Sequence, residues 1–344
     1  MKLKRWMPWA TMALAAIALV TAAGAMARVD GKAAPAAPAK AAATAKLGLV
    51  TDIGGLNDRS FNFLANQGRL RAEKQLKIQT RVLISKSNAD YVPNLATLAR
   101  QGYSPIVGVG FLMADAIATV AKRFPKTQFA IVDFPNVALK GKPKNVLGLV
   151  FREAEAGCLV GTAGALVSKS KVLSSVGGIK IPPVDAFIAG YQFCAKRAVK
   201  GIKTLNGYSQ DFVAQDKCKE IALNHINEGA DIVFAVAGQC GLGALDAAKE
   251  NRKKGIGVDA NQFYLGQHIL TSAQKKVDVA VFTTAQLVVQ DKFKGGGDLV
   301  FDIKNGGIDY GKPLRASLAV KKAVEKVKAA IKAGKFPKIP STVK

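Results

Sequence analysis

The feature that most limits the fold of this chain is an alternation of short apolar strands with helical segments. Five apolar runs are predicted strands: 47–52, 80–85, 105–110, 128–133 and 145–150. Helices are predicted between them, near 60–75, 91–101 and 112–123. The strands are apolar throughout and do not alternate with polar residues, as expected for parallel strands covered on both faces. The pattern predicts an α/β lobe with a doubly wound parallel sheet.

The same alternation starts again with a predicted helix at 153–168. Four more strands are predicted: 172–178, 202–208, 231–237 and 255–259. Helices are predicted near 184–200, 216–228 and 241–251. A second series of similar size predicts a second lobe with a similar fold, and a chain of 344 residues is long enough for two such lobes.

The rest of the chain completes the two lobes. Strands at 268–272 and 298–303 and a helix at 277–293 are interpreted as late crossings. We therefore expect a first lobe of 46–150 plus 263–296, and a second lobe of 151–262 plus 297–316. Residues 317–344 predict a basic amphipathic helix and tail, which either packs on a lobe or binds a partner.

The first 27 residues have the pattern of a secretory signal peptide. Lys2, Lys4 and Arg5 precede the apolar run 6–20, and Ala25–Ala27 fits a cleavage site. A membrane anchor is the alternative, but it needs roughly 20 apolar residues. We expect cleavage after Ala27, and we interpret the Ala/Pro-rich residues 28–45 as a spacer. No Cys precedes Cys158, so we expect an exported periplasmic protein that is not a lipoprotein.

The chain is strongly basic, with 50 Lys and Arg against 24 Asp and Glu. Residues 311–344 alone hold ten basic residues and one acidic residue, Glu325. Nucleic acid is the obvious partner for such charge. The basic residues are scattered, however, without interleaved aromatic residues, and an exported protein seldom meets nucleic acid. We therefore expect no nucleic-acid partner and interpret the charge as a solvated basic surface.

Four cysteines in an oxidising compartment are expected to form at least one disulfide. Cys158 and Cys194 lie in apolar helical patterns, which favours buried free thiols. Cys218 and Cys240 each follow a predicted strand, and we expect these two to pair. Only two His are present, which disfavours a His-based metal site, and we expect no metal and no cofactor.

Polar and aromatic side chains follow the predicted strands, at the edge where doubly wound sheets bind ligands. The segment after the first strand contains Asp52, Asn57, Phe61 and Asn62, more hydrogen-bonding groups than helix capping needs. Phe111 follows the third strand. Asp133 closes the fourth strand, either as a turn residue or as an acceptor for a ligand N–H.

In the second lobe Phe212 follows one strand and supplies a second aromatic plate. Gly238 precedes a Gly-rich helix start that resembles a dinucleotide fingerprint only loosely, because Asp246 stands where Gly or Ala is needed. Asp259 closes another strand and suits a pair of sugar hydroxyls. The chain lacks G-x-S-x-G, G-x-x-x-x-G-K-[ST] and C-x-x-C, so no reaction centre is marked and we expect no enzyme.

Together these segments resemble the basic membrane protein and purine nucleoside receptor family of ABC-transporter solute-binding proteins. The segments that carry the resemblance are TDIGGLNDRSFN (51–62), GFLMADA (110–116), FAIVD (129–133), VGGIKIPPVDAFIAGYQ (176–192), AGQCGLGALDAAKE (237–250), GIGVDANQ (255–262) and LTSAQKKVDVAVF (270–282). Their joint order and spacing cover residues 46–311. The resemblance implies a type I periplasmic-binding-protein fold, in which three hinge crossings join two lobes.

The resemblance also implies a role for each candidate residue. Phe61 and Phe212 match the two rings that sandwich a nucleoside base. Asn62 and Asp133 match residues that contact the edge of the base. Asp259 and Lys275 match residues that contact the ribose. Gly238 matches a glycine whose backbone lies close to the ligand, and Asp52 matches an Asp that lines the same pocket. The implied partners are a nucleoside, with purine favoured, and an ABC permease in the inner membrane, and the implied receptor is a monomer.

One departure from the family leaves the identity of the ligand open. Gln210 and Asp211 stand before Phe212, where many relatives have small residues, so the base is not fixed. The ligand could instead be another heteroaromatic molecule such as a flavin, or a small polar solute. A receptor that senses ligand without delivering it would have the same sequence pattern.

Overall fold

A computed structural model of the chain describes residues 45–343, and it contains two six-stranded sheets. The predicted signal peptide and all but the last residue of the predicted spacer lie outside the described residues. The first sheet consists of β1 (Lys46–Val50), β2 (Gln79–Leu83), β3 (Ile106–Gly108), β4 (Phe129–Val132), β5 (Val146–Phe151) and β11 (Asp298–Phe301). Its strands are all parallel, in the order β11-β5-β4-β3-β1-β2.

The second sheet repeats this topology. It consists of β6 (Val172–Gly177), β7 (Lys203–Tyr208), β8 (Ile232–Val236), β9 (Lys254–Asp259), β10 (Ile269–Lys275) and β12 (Ile308–Tyr310). The order is β12-β10-β9-β8-β6-β7, and only the β10–β12 pair is antiparallel. In both sheets the strand order reverses beside the first strand, and ligands bind at such a switch point.

Helices cover both faces of each sheet. Those of the first lobe are α1 (Phe61–Leu76), α2 (Tyr91–Arg100), α3 (Ala114–Arg123) and α8 (Val277–Val289). Those of the second are α4 (Glu153–Val167), α5 (Pro182–Ala198), α6 (Gln215–Asn227), α7 (Cys240–Glu250) and α9 (Leu318–Lys332). In β1, Leu47 and Leu49 pack in the apolar cluster that contains α1 and α8, whereas Val50 packs with α2 and α3. This two-sided burial explains the continuously apolar strands.

Three segments cross between the lobes, as the family resemblance implied. They follow β5, β10 and β11, and the chain then enters α4, α8 and β12 respectively. The expected lobe boundaries were wrong at two places. β10 pairs with β9 in the second sheet although 263–296 was assigned to the first lobe, and β11 pairs with β5 although 297–316 was assigned to the second. β10 and β11 each lie immediately before a crossing, and their composition does not indicate which sheet they join.

The C-terminal helix α9 packs on the second lobe, which is one of the two alternatives that its sequence allowed. The Ser317 hydroxyl accepts from the backbone N–H of Val320 at 3.4 Å and caps the helix. Val324 and Ile331 are buried, and α9 contacts α4. In residues 45–343 no helix combines the length and the apolar character that a membrane crossing requires.

Helices α4 and α5 approach each other very closely. A Cβ atom added to Gly161 would collide with the backbone of Tyr191, so only glycine allows this distance. The approach brings Cys158 and Cys194 together, with a Cα–Cα distance of 4.9 Å, and the structure joins them by a disulfide. Free thiols were expected at these two positions, and that expectation was wrong because sequence does not show how closely two helices pack.

Cys218 and Cys240 form the second disulfide, with a Cα–Cα distance of 5.6 Å, which is the pair expected from the sequence. We therefore expect no reactive thiol in untreated, denatured protein and four after reduction. Alkylation followed by intact-mass measurement checks this count. Two reactive thiols before reduction would show that one bridge is absent, and four would exclude both.

Candidate functional site

A cavity that is partly open to solvent lies between the two sheets at the carboxyl ends of their strands. Small-molecule sites occur preferentially at such interfaces between lobes. Nine of the ten predicted ligand residues line it: Asp52, Phe61, Asn62, Phe111, Asp133, Phe212, Gly238, Asp259 and Lys275. Asn57 is exposed and does not line it. Its neighbour Asp58 does, because the tight turn after β1 directs Asp58 inward.

Asp58 caps α1 from inside the cavity wall. Its carboxylate accepts hydrogen bonds from the backbone N–H groups of Ser60, Asn62 and Phe63, at 3.0, 2.7 and 2.9 Å. Burial raises the pKa of this carboxyl. The sequence offers several capping residues here, and only the structure shows which one performs the capping. The cap fixes the start of α1, and with it the position of Phe61.

Asn62 holds the turn that follows β1. Its Oδ1 accepts from the backbone N–H of Asp52 at 2.9 Å, and its Nδ2 donates to the carbonyl of Ile53 at 3.3 Å. One N–H of the amide is therefore left for a ligand. The Asp52 carboxylate accepts from the Tyr91 hydroxyl and from the backbone N–H of Ile53, and burial raises the pKa of Asp52 to about 6.

Lys275 occupies the centre of the site and is 2% exposed. Its Nζ lies 2.7 Å from Oδ2 of Asp133 and 2.9 Å from Oε1 of Glu153. Burial alone would lower the pKa of Lys275, but the carboxylates of Asp133, Glu153 and Asp259 raise it above its ordinary value. The ammonium is therefore charged at neutral pH. Burial raises the pKa of Glu153 to about 7, since one ammonium cannot balance all of these carboxylates.

Two hydrogen bonds between side chains in this site join the lobes directly. The first is the Lys275–Asp133 ion pair, because Asp133 follows β4 of the first sheet. The second is formed by the Ser60 hydroxyl, which donates to Oδ2 of Asp259 at 2.7 Å. Asp133 and Asp259 both have positive φ angles, 73° and 57°. Backbone strain of this kind at two strand ends is typical of functional sites.

Aromatic and apolar side chains form the rest of the wall. Phe61 begins α1, and Phe212 lies against Gly178, where an added Cβ would come within 2.5 Å of the ring. The start of α5 contributes further apolar lining that the sequence did not indicate: Ile181, Pro183, Val184 and Phe187. Phe63, two residues after Phe61, is 37% exposed and does not line the cavity. The cavity therefore combines flat apolar surfaces with a small number of charged groups.

Burial of these carboxyls predicts how stability changes with pH. Burial raises the pKa of Asp259 to about 6, above its ordinary value of 3.8. The folded protein therefore binds more protons than the unfolded chain between these values, so ionisation of Asp259 lowers the free energy of unfolding as pH rises through this window. We expect Asp259→Asn to gain stability relative to wild type at pH 7.5 but not at pH 4. Urea denaturation of both proteins checks this, and an equal difference at both pH values would contradict it.

Two doubly wound lobes, three crossings and a cleft between them define a solute-binding protein with the type I periplasmic-binding-protein fold. A solved structure of an ABC-transporter solute-binding protein from Aeropyrum pernix K1 superimposes with a TM-score of 0.78, at 27% identity over 86% of this chain and 94% of the other. Residues 45–340 match the family described as ABC transporter substrate-binding protein PnrA-like, and the chain belongs to this family.

Two relatives illustrate the range of the family. The ABC transporter nucleoside-binding protein BmpA of Lactococcus lactis subsp. cremoris is 34% identical over 86% of this chain and 89% of its own length. An uncharacterized lipoprotein of Pyrococcus furiosus is 32% identical over 77% of this chain and 69% of its own length. Because the second relative is named a lipoprotein, the absence of a lipid on the present chain stays a prediction.

Proposed function

We propose that this protein is a periplasmic receptor that binds a purine nucleoside between its lobes and delivers it to an ABC permease in the inner membrane. The observation that carries the proposal is that two half-buried phenylalanines and a set of buried carboxyls line one cavity. The name of the Lactococcus lactis relative supports the same ligand class.

The proposed binding mode assigns the base to the two rings. A purine between Phe61 and Phe212 gains stacking of roughly 1–3 kcal/mol per aromatic contact. The free N–H of Asn62 and the carboxylate of Asp133 then face the base edge. Both groups are held by other parts of the protein, so the edge is recognised by prepositioned atoms.

The ribose is assigned to the other end of the cavity. Asp259 accepts from the ribose hydroxyls, and the remaining N–H of Lys275 donates to a ribose oxygen. Gly238 brings bare backbone close to the sugar. A site in which buried charged groups form hydrogen bonds with hydroxyls discriminates strongly against ligands that lack those hydroxyls. We therefore expect ribonucleosides to bind more tightly than free bases.

Native mass spectrometry of freshly purified protein tests the proposal, followed by release and identification of any bound small molecule. One purine nucleoside per chain would support the receptor assignment. A different heteroaromatic ligand, such as a flavin, would retain the class of protein and replace the ligand. If the protein is empty, a thermal-shift panel of nucleosides decides: stabilisation by a purine nucleoside supports the proposal, and no shift with any nucleoside contradicts it.

A further inference from the structure

Lys275 and the two carboxylates bonded to it do not all belong to the same lobe. Lys275 ends β10, and Glu153 begins α4, so both are parts of the second lobe. Asp133 follows β4 in the first lobe. The Lys275–Glu153 pair is therefore internal to one lobe, whereas the Lys275–Asp133 pair spans the cleft.

Glu153 affects the cavity only through Lys275. Its side chain is buried, and it does not belong to the cavity lining, which Lys275 does. A lysine ammonium has three donors. One bonds to Asp133 and one to Glu153, so a single N–H is left for a ligand. Glu153 thus fixes the direction in which this donor points.

Opening of the cleft separates the two pairs. Proteins of this fold bind and release ligands by hinge motion of their lobes. Such motion breaks the Lys275–Asp133 and Ser60–Asp259 contacts, but Glu153 moves together with Lys275. The ammonium consequently keeps one hydrogen-bonded counter-ion in the open form. Asp259 also lies on the second lobe and faces Lys275, but the two do not share a hydrogen bond.

We infer that Glu153 is a positioning residue that keeps Lys275 charged and in place while the lobes are apart, and thereby lets the cleft open to admit ligand. The inference on ligand entry rests on the proposed function, whereas the inference on opening does not. Without the Glu153 charge, the only hydrogen-bonded carboxylate partner of the ammonium lies across the cleft. The closed form is then favoured in the absence of ligand. This lowers the fraction of molecules whose cleft is open and able to take up ligand.

The test compares Glu153→Gln with Glu155→Gln, a variant on the same helix. Glu155 accepts from the backbone N–H of Ile303 at 2.8 Å and forms no bond to Lys275, so it controls for general effects near the hinge. Small-angle X-ray scattering of protein freed of ligand should give a smaller radius of gyration for Glu153→Gln than for wild type. Rapid filtration with radiolabelled inosine should give at least a fivefold lower association rate, with a dissociation rate close to wild type.

Each outcome of this experiment decides the inference. Wild-type compactness in Glu153→Gln, or an equal change in Glu155→Gln, would overturn it. If wild type binds no inosine, inosine is not the ligand, and the scattering comparison still decides the role of Glu153. If Glu153→Gln does not fold, Glu153→Asp is used, whose shorter side chain cannot hold the 2.9 Å bond. It should show a smaller change in the same direction, and wild-type values would overturn the inference.

Discussion

Replacing Lys275 by methionine is expected to lower the free energy of unfolding by about 3–5 kcal/mol at neutral pH and to abolish measurable nucleoside binding. The substitution removes the only cation that bonds to Asp133 and Glu153 within residues 45–343, and both carboxyls then stay buried without a counter-charge from this part of the chain. Loss of one member of a buried ion pair is this costly because the other charge cannot return to water. Urea denaturation measures the stability and calorimetry measures the binding.

Lys276→Met is the matched control for this substitution. Lys276 is the next residue, is only half-buried, and donates to the Gln274 side chain at 3.1 Å. We expect it to change stability by less than about 1 kcal/mol, as surface substitutions do. Adding Asp133→Asn to Lys275→Met should recover part of the lost stability, because it removes one of the two buried carboxylates that have lost their counter-ion. Equal stability of wild type and Lys275→Met would show that the ammonium does not balance the site.

The predictability of the fold follows from the strength of the local signals. The predicted β4 at 128–133 and α8 at 277–293 correspond to Phe129–Val132 and Val277–Val289. Continuous apolar runs bounded by polar residues are strong signals for buried parallel strands. β12 escaped prediction because it has three residues and pairs at an edge. The sheets to which β10 and β11 belong are decided by tertiary pairing, which one sequence does not encode locally.

The candidate site was partly predictable for a similar reason. Asp52, Asp133 and Asp259 each close a strand, and strand ends of a doubly wound sheet converge on one edge. Contacts between the lobes were beyond prediction, since Asp133 and Lys275 are 142 residues apart in the chain. The sequence does not single out Glu153 as a site residue, because acidic residues are common at the start of a helix, where the helix dipole stabilises them.

The acidic cavity contrasts with the strongly basic chain around it. Among the described residues that line the cavity, Lys275 is the only Lys or Arg, whereas Asp52, Asp58, Asp133 and Asp259 all line it. An anionic ligand such as a nucleotide would have to approach four carboxyls with a single compensating charge. Repulsion of this kind discriminates against ligands that carry negative charge. The charge balance therefore favours an uncharged ligand, in agreement with a nucleoside.

Replacing Phe61 or Phe212 by alanine is expected to weaken nucleoside binding at least tenfold in each case. Each substitution removes one aromatic face, and stacking of one base on one ring contributes roughly 1–3 kcal/mol. Phe61→Leu separates stacking from apolar contact, because leucine fills much of the space without a flat π surface. We expect its affinity to lie between those of wild type and Phe61→Ala. Calorimetry with inosine measures all three.

Phe63→Ala is the control, because Phe63 lies two residues from Phe61 on the same helix, is partly exposed and does not line the cavity. It should bind inosine with wild-type affinity. Wild-type affinity in Phe61→Ala and Phe212→Ala would exclude the base sandwich even if inosine is the ligand. The carboxyls would then have to account for the affinity by themselves, and Asp259→Ala would have to weaken nucleoside binding by more than tenfold. The aromatic and acidic variants together therefore distinguish a site that recognises the whole nucleoside from one that recognises only its sugar.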